Sequence, residues 1–360
     1  MRLRTLVRFM LIICWGLIPG GVFSQEAEKP FFRVEEMTVQ AGAFTIVGDL
    51  YIPLRGAKHP AVVWVHGSGP LTRQLMVPLL KPQIEVFLKA GFAFFVDDIP
   101  GAGSSKGQMT QVYTDRAQIL AREVEALKKR PDIIPTRIGV AGSSQAGVVM
   151  PLAATLTSDI GFMIAEGCVA ESAYKQDAYL VAQYMICEGV PAEEAAKAGR
   201  FQRQRYETED FQEYLAAVEY INNNEACKLI GLNAPPFGSE EKFKRRDRSP
   251  SKIGSYYDPM LIVADLPFPI LALFGEKDKN IDPVQGCEAY RAAFKTASHN
   301  LNRVEMIADA NHLLYEAKTG CVRELMAQVS GGKPLYGSQV LAIIAAWLEA
   351  LKASFGDFSR

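Results

Sequence analysis

Histidine is scarce in this 360-residue sequence, with four copies, and cysteine is little commoner, with six. The cysteines are widely spaced and form no CxxC pair, which excludes a zinc ribbon and a dense disulfide framework. No sign of charge is in excess: 39 basic residues stand against 40 acidic ones, a formal charge of −1. A protein held to nucleic acid by bulk positive charge is therefore excluded. Gly at 29 and Pro at 20 are too few for a collagenous or low-complexity chain. What remains is an ordinary globular composition, 49% hydrophobic and 22% charged, long enough for two or three domains or for one α/β domain carrying an insertion.

The beginning of the chain departs from that average. Residues 1–8 carry Arg2, Arg4 and Arg8 and no acid, residues 9–18 are apolar, and Pro19, Gly20 and Gly21 follow. With Val22 and Ser24 ahead of Gln25, this is the charged, apolar, small-residue order of a cleavable secretory signal over residues 1–24. The apolar run falls short of the roughly 20 residues that span a bilayer, so no membrane anchor is expected after cleavage. Removing residues 1–24 lowers the basic count to 36 against 40 acids, a formal charge of −4, and leaves five cysteines. These are expected as buried small hydrophobes, with Cys187 and Cys227 as a candidate bridge in an oxidising compartment.

Strand-like runs occupy residues 36–40, 44–52, 61–65, 92–96, 137–141, 161–165, 268–274 and 301–307. Helical spacing separates them at residues 82–90, 111–130, 144–156 and 284–297 and closes the chain at 339–355. Several strands are apolar throughout, as strands buried on both faces require. The rhythm predicts a mostly parallel α/β sheet covered by helices on both faces. It breaks at residues 172–250, which lack strand-like runs and read as a helical cap inserted between core segments 25–171 and 251–360.

Residues 142–147, Gly-Ser-Ser-Gln-Ala-Gly, lie between an expected strand and an expected helix. A nucleophile elbow needs small residues two before and two after its serine. Ser144 meets the demand through Gly142 and Ala146; Ser143 does not, because Gln145 would fill the crowded place. A general base must be one of four histidines. His59 and His299 read as surface residues, and His66 as a structural residue ending a strand. His312 follows the last core strand, at the sheet end where sites of parallel sheets form. An acid must orient that base, and Asp278 is selected over Glu276 and Asp282 on the same loop. Backbone amides of Ser68 and Gln145 are the expected oxyanion donors.

These motifs resemble those of the α/β-hydrolase superfamily, and more narrowly its exported serine esterases with a helical cap. The resemblance rests on residues 66–70 (His-Gly-Ser-Gly-Pro), 98–104, the 142–147 elbow, 257–259, 275–278 and Asn311-His312. Relatives commonly read Gly-His-Ser-Glu-Gly-Gly at the elbow and Asp-x-Arg-Gly-x-Gly at the earlier loop. Here Ser143, Gln145 and Ala146 stand in the first, and Pro100 replaces Arg in the second. The resemblance implies an α/β-hydrolase fold and cleavage of a small-molecule carboxylic ester through an acyl-enzyme, with no cofactor, metal or nucleic acid. Peptidase or amidase, acyl thioesterase and a catalytically silent binding protein are the alternatives. Ser rather than Cys at the elbow argues against a dienelactone hydrolase. Tyr174, Tyr179, Tyr184, Met185, Phe201 and Tyr206 are read mainly as the cap's own packing, with a pocket lining as the other role.

Overall fold

The computed structural model describes residues 30–355 apart from 298, 332–334 and 338, so the signal segment expected at residues 1–24 lies outside the described residues. Eight strands make one sheet in the order β1-β2-β4-β3-β5-β6-β7-β8. They are β1 (Phe32–Ala41), β2 (Phe44–Pro53), β3 (His59–Val65), β4 (Ala93–Asp97), β5 (Ile133–Ser143), β6 (Ile160–Glu166), β7 (Ile270–Gly275) and β8 (Arg303–Ile307). The β1–β2 hairpin and its junction with β4 are antiparallel, and every later pairing is parallel. Helices α1 (Arg73–Lys89), α2 (Tyr113–Lys128) and α3 (Ala146–Ala154) fill the crossovers before β6. Helices α4 (Ala173–Cys187), α5 (Ala192–Glu207), α6 (Phe211–Asn223), α7 (Glu225–Leu229), α8 (Glu240–Lys244) and α9 (Met260–Val263) come between β6 and β7. The chain ends with α10 (Pro283–Ala293), α11 (Val322–Ser330) and α12 (Val340–Ser354).

All seven residues of β3 are buried, which explains its unbroken apolar run. Its period of two divides the core: Ala61, Val63 and Val65 face the α2, α3 and α10 side, whereas Val62 and Trp64 face α1 and α12. The strongly apolar α12, with Ile344, Trp347, Leu348 and Leu351 buried, seals that second face. Among the described residues no helix is long and apolar enough to cross a membrane.

Helix α1 begins nine residues before the expected Pro82. Pro78 and Pro82 both lie inside it, although each removes a backbone donor. Thr72 compensates at the start, its hydroxyl accepting the Leu75 amide at 3.3 Å, and Met76, Leu79, Ile84 and Phe87 anchor the helix by burial. His59 is a second correction: it is buried at the start of β3, with Nδ1 3.2 Å from Gly91 O, instead of exposed in a turn.

The α4–α8 segment has a hydrophobic core of its own, built from Val181, Met185, Ala195, Tyr214, Ile221 and Phe243. Cys227 belongs to that core and is a free thiol, so the expected Cys187–Cys227 bridge is wrong. Cys187 is bonded to Cys321 instead, with Cα atoms 5.6 Å apart. Being the last residue of α4, Cys187 meets the N-terminal cap of α11 rather than the interior of its own helical segment. The buried free state of Cys168, Cys227 and Cys287 fits their expected role as small hydrophobes.

Candidate active site

Ser144 sits in the turn between β5 and α3 with φ of 58°, a conformation that costs a non-glycine residue ~1–2 kcal/mol. The surroundings hold it there: its amide donates to Glu166 O at 3.3 Å, and its carbonyl accepts from Gly147 N at 3.1 Å and Val169 N at 3.0 Å. Close packing explains the small neighbours. A Cβ on Gly142 would stand 2.4 Å from Val65 O and 2.7 Å from the Ala146 Cβ. The oxyanion loop also comes in close, since a Cβ on Gly67 would lie 3.2 Å from the Ser144 Cβ. Ser144 is half-buried, so its hydroxyl remains reachable, while Ser143 is buried.

His312 follows β8 and is buried, with Nδ1 2.8 Å from Asp278 Oδ2. Asp278 is fully buried, and its Oδ1 accepts the Asn280 amide at 2.7 Å and the Ile281 amide at 2.9 Å. The competing acids are occupied elsewhere. Glu276 is exposed and accepts the Asp309 amide at 3.1 Å; Asp282 caps α10 through the amides of Val284 and Gln285. The loop after β6 joins the serine to this pair. Glu166 O takes the Ser144 amide, and a Cβ on the next residue, Gly167, would lie 3.3 Å from both Asp278 Oδ2 and His312 Nδ1. Ser144, Asp278 and His312 thus converge at the C-terminal ends of β5, β7 and β8.

Of the two expected oxyanion residues, Ser68 follows β3 and Gln145 precedes α3, and neither amide meets an acceptor among the described residues. His66 takes the structural role, its Nε2 lying 2.8 Å from Asp97 O and 3.1 Å from Asp97 Oδ1. His299 accepts the Leu301 amide at 3.2 Å and is half-buried. Among the described residues no group of three or more His, Cys, Asp or Glu is placed to hold a metal ion.

Three roles escaped the sequence reading. Asn311 is fully buried, and its Oδ1 accepts the amides of Leu313 at 3.0 Å and Tyr315 at 3.2 Å, fixing the loop that carries His312. Its Nδ2 donates to Gln328 Oε1 at 2.7 Å on α11, a helix that sequence periodicity missed. Tyr179 of α4 donates its hydroxyl to Asp278 O at 2.7 Å, and Tyr184 donates to Asn280 Oδ1 at 3.1 Å, so the helical insertion is stitched to the acid loop. Tyr174 and Tyr206 instead cluster with Tyr256, Phe201 stacks on Tyr220, and Met185 packs in the insertion's core. The third is Arg116, buried on the apolar stripe of α2 with Ile119, Leu120 and Val124. A charged residue at an apolar-face position was the available signal.

Burial also perturbs the carboxyls around the site. Glu166 is pushed up to about 8 by desolvation, against which the Gln83 amide hydrogen bond acts. Glu171, on the loop leading into α4, is raised to about 7 for the same first reason.

The sequence matches the X-Pro dipeptidyl-peptidase (S15) family over residues 42–263. The chain belongs to the S15 family. The match takes in Ser68, the Ser144 elbow and the helical insertion, whereas Asp278 and His312 lie beyond it. No curated protein sequence matches the chain. Among solved structures, Pyrococcus furiosus esterase Pf2001 aligns with a TM-score of 0.53 at 14% identity, covering 89% of this chain and 93% of that one. The hyperthermophilic esterase of Pyrobaculum calidifontis gives 0.52 at 15%, covering 90% of this chain and 85% of its own. DcsB, in a complex with its substrate analogue, gives 0.51 at 18%, covering 89% and 98%. These likenesses establish the α/β-hydrolase fold, and the sheet order and elbow of this S15 chain agree with it.

Proposed function

We propose that this S15-family chain is a serine hydrolase that cleaves small carboxylic esters through an acyl-enzyme. The observation that carries the reading is the positive-φ Ser144 on the same sheet end as the buried Asp278–His312 pair. Ser144 Oγ attacks the ester carbonyl and gives its proton to His312 Nε2. Asp278 Oδ2 holds the Nδ1 proton, fixing the tautomer and stabilising the imidazolium. The Ser68 and Gln145 amides receive the oxyanion. His312 then returns the proton to the departing alkoxide, and water repeats the sequence to free the acid.

Peptide cleavage is the second reading, favoured by the S15 match. A single comparison separates the two: p-nitrophenyl esters of graded acyl length against aminoacyl-prolyl p-nitroanilides. Faster turnover of the anilides by purified protein would replace the ester reading with the peptidase one. Covalent labelling by a fluorophosphonate tests the serine itself, and a folded wild type that takes no label would leave the silent binding protein. Export is part of the same proposal, resting on the order of residues 1–24, and the N-terminal residue of the exported protein tests it. Gln25 is expected, and an intact Met1 overturns it.

A further inference from the structure

Arg116 is only 7% exposed, yet none of the acyl-transfer steps uses it. Its place on α2 sets an arginine among Ile119, Leu120 and Val124, where an isolated cation is strongly disfavoured. Three acceptors surround its guanidinium. Nη1 donates to Gly67 O at 3.1 Å and to the side-chain oxygen of Gln145, and Nη2 donates to His66 O. Burial lowers its pKa, and the Asp97 carboxylate leads the groups acting against that fall.

We propose that Arg116 is a positioning residue that aims both oxyanion donors at once. This rests on the serine-hydrolase reading of the same site. Gly67 O and the Ser68 N–H belong to one trans peptide unit and therefore point in opposite directions. A guanidinium that holds Gly67 O turns the Ser68 N–H away from α2, toward the serine that lies against Gly67. The cation also polarises that peptide, which strengthens the N–H as a donor. The Gln145 contact does the same for position on the other side, because the side chain it grips belongs to the residue whose amide is the second donor. The far end of His66 is fixed independently, through its Nε2 to Asp97. Lysine cannot replace this grip. Only the planar fork of arginine presents donors to three acceptors in fixed directions.

The test is Arg116→Lys, which keeps the charge and most of the stem, with Arg116→Met as a second variant. Hydrolysis of p-nitrophenyl acetate by Arg116→Lys should lose about 10²-fold in kcat with KM little changed, the signature of a lost oxyanion donor. A trifluoromethyl ketone, to which Ser144 Oγ adds to give a tetrahedral oxyanion, should lose affinity by the same factor as kcat/KM. Amide relaxation supplies a readout that needs no activity: the order parameters of the Gly67, Ser68 and Gln145 amides should fall in Arg116→Lys, toward about 0.6, while those of β3 and α12 stay at about 0.85. Unchanged kcat together with unchanged order parameters at 67, 68 and 145 overturns the proposal. A fall in kcat no larger than the fall in folded fraction, read from the thermal melt, with order parameters at 67, 68 and 145 unchanged, also overturns it. If the wild type takes no fluorophosphonate, the hydrolase reading has failed, and the order parameters at 67, 68 and 145 still decide whether Arg116 positions the loop.

Discussion

Asp278 binds His312 through one carboxylate oxygen and its own loop through the other: Oδ2 lies 2.8 Å from His312 Nδ1, and Oδ1 accepts two backbone amides. A fully buried carboxylate is tolerable only with such partners. The two functions are therefore separable by substitution. Asp278→Asn should keep the amide contacts through its Oδ1 but present the wrong group to the imidazole, lowering kcat by about 10⁴-fold. Circular dichroism should show the fold retained. Asp282→Asn and Glu276→Gln should leave kcat essentially unchanged, and a comparable loss in either would reassign the acid.

Ser144→Ala removes the attacking oxygen while leaving the turn, whose conformation is set by its backbone bonds to Glu166, Gly147 and Val169. Ester turnover should fall by at least ~10⁴-fold. Fluorophosphonate labelling should vanish, and label appearing on Ser143 in this variant would move the nucleophile by one residue.

Glu166 gives the folded protein a pH dependence of known sign. Burial lifts its pKa from the ordinary glutamate value of about 4.5 to about 8. Below about pH 4.5 both folded and unfolded states hold the proton. Between there and about 8 only the folded state does, so stability falls as pH rises, by up to ~1.4 kcal/mol per pH unit, and levels off above. Glu166→Gln is neutral at every pH and retains an oxygen to accept from Gln83. Its melting temperature should exceed that of the wild type at pH 8 and match it near pH 4. A wild-type-like slope in the variant would place the titration elsewhere.

The disulfide is open to direct mapping. An unreduced digest should yield one linked peptide pair containing Cys187 and Cys321, while Cys168, Cys227 and Cys287 alkylate only after unfolding. The Cys187→Ser/Cys321→Ser double variant should lose about 2–5 kcal/mol of stability, read from its urea midpoint. A Cys187–Cys227 peptide would restore the pairing expected from the sequence.

The parallel sheet was legible because strands buried on both faces write unbroken apolar runs, as at β3 and β7. The elbow was legible for a steric reason, since Gly142 and Ala146 are the sizes the turn allows. The histidine was found by elimination among four, and the acid by its loop. Long-range contacts were not legible. Nothing local tells that Tyr179 reaches Asp278, or that Arg116 lies against residues 66 and 67, about fifty positions away. The first half of helix α1 was not read, because a proline such as Pro82 suits a helix's first turn and local propensity disfavours it inside the helix that Phe87 and its buried neighbours stabilise.

The Cys187–Cys321 bond closes a covalent ring across a sequence separation of 134 residues. Asp278 and His312 lie inside that ring and Ser144 lies outside it. A protease that nicks any surface turn within the ring leaves a single molecule, with nucleophile, acid and base still on one connected chain. Such a clipped protein would migrate as one band until a reductant was added and then part into two. The crosslink thus makes the helical insertion beyond α4 a place where a cut does not detach the pieces.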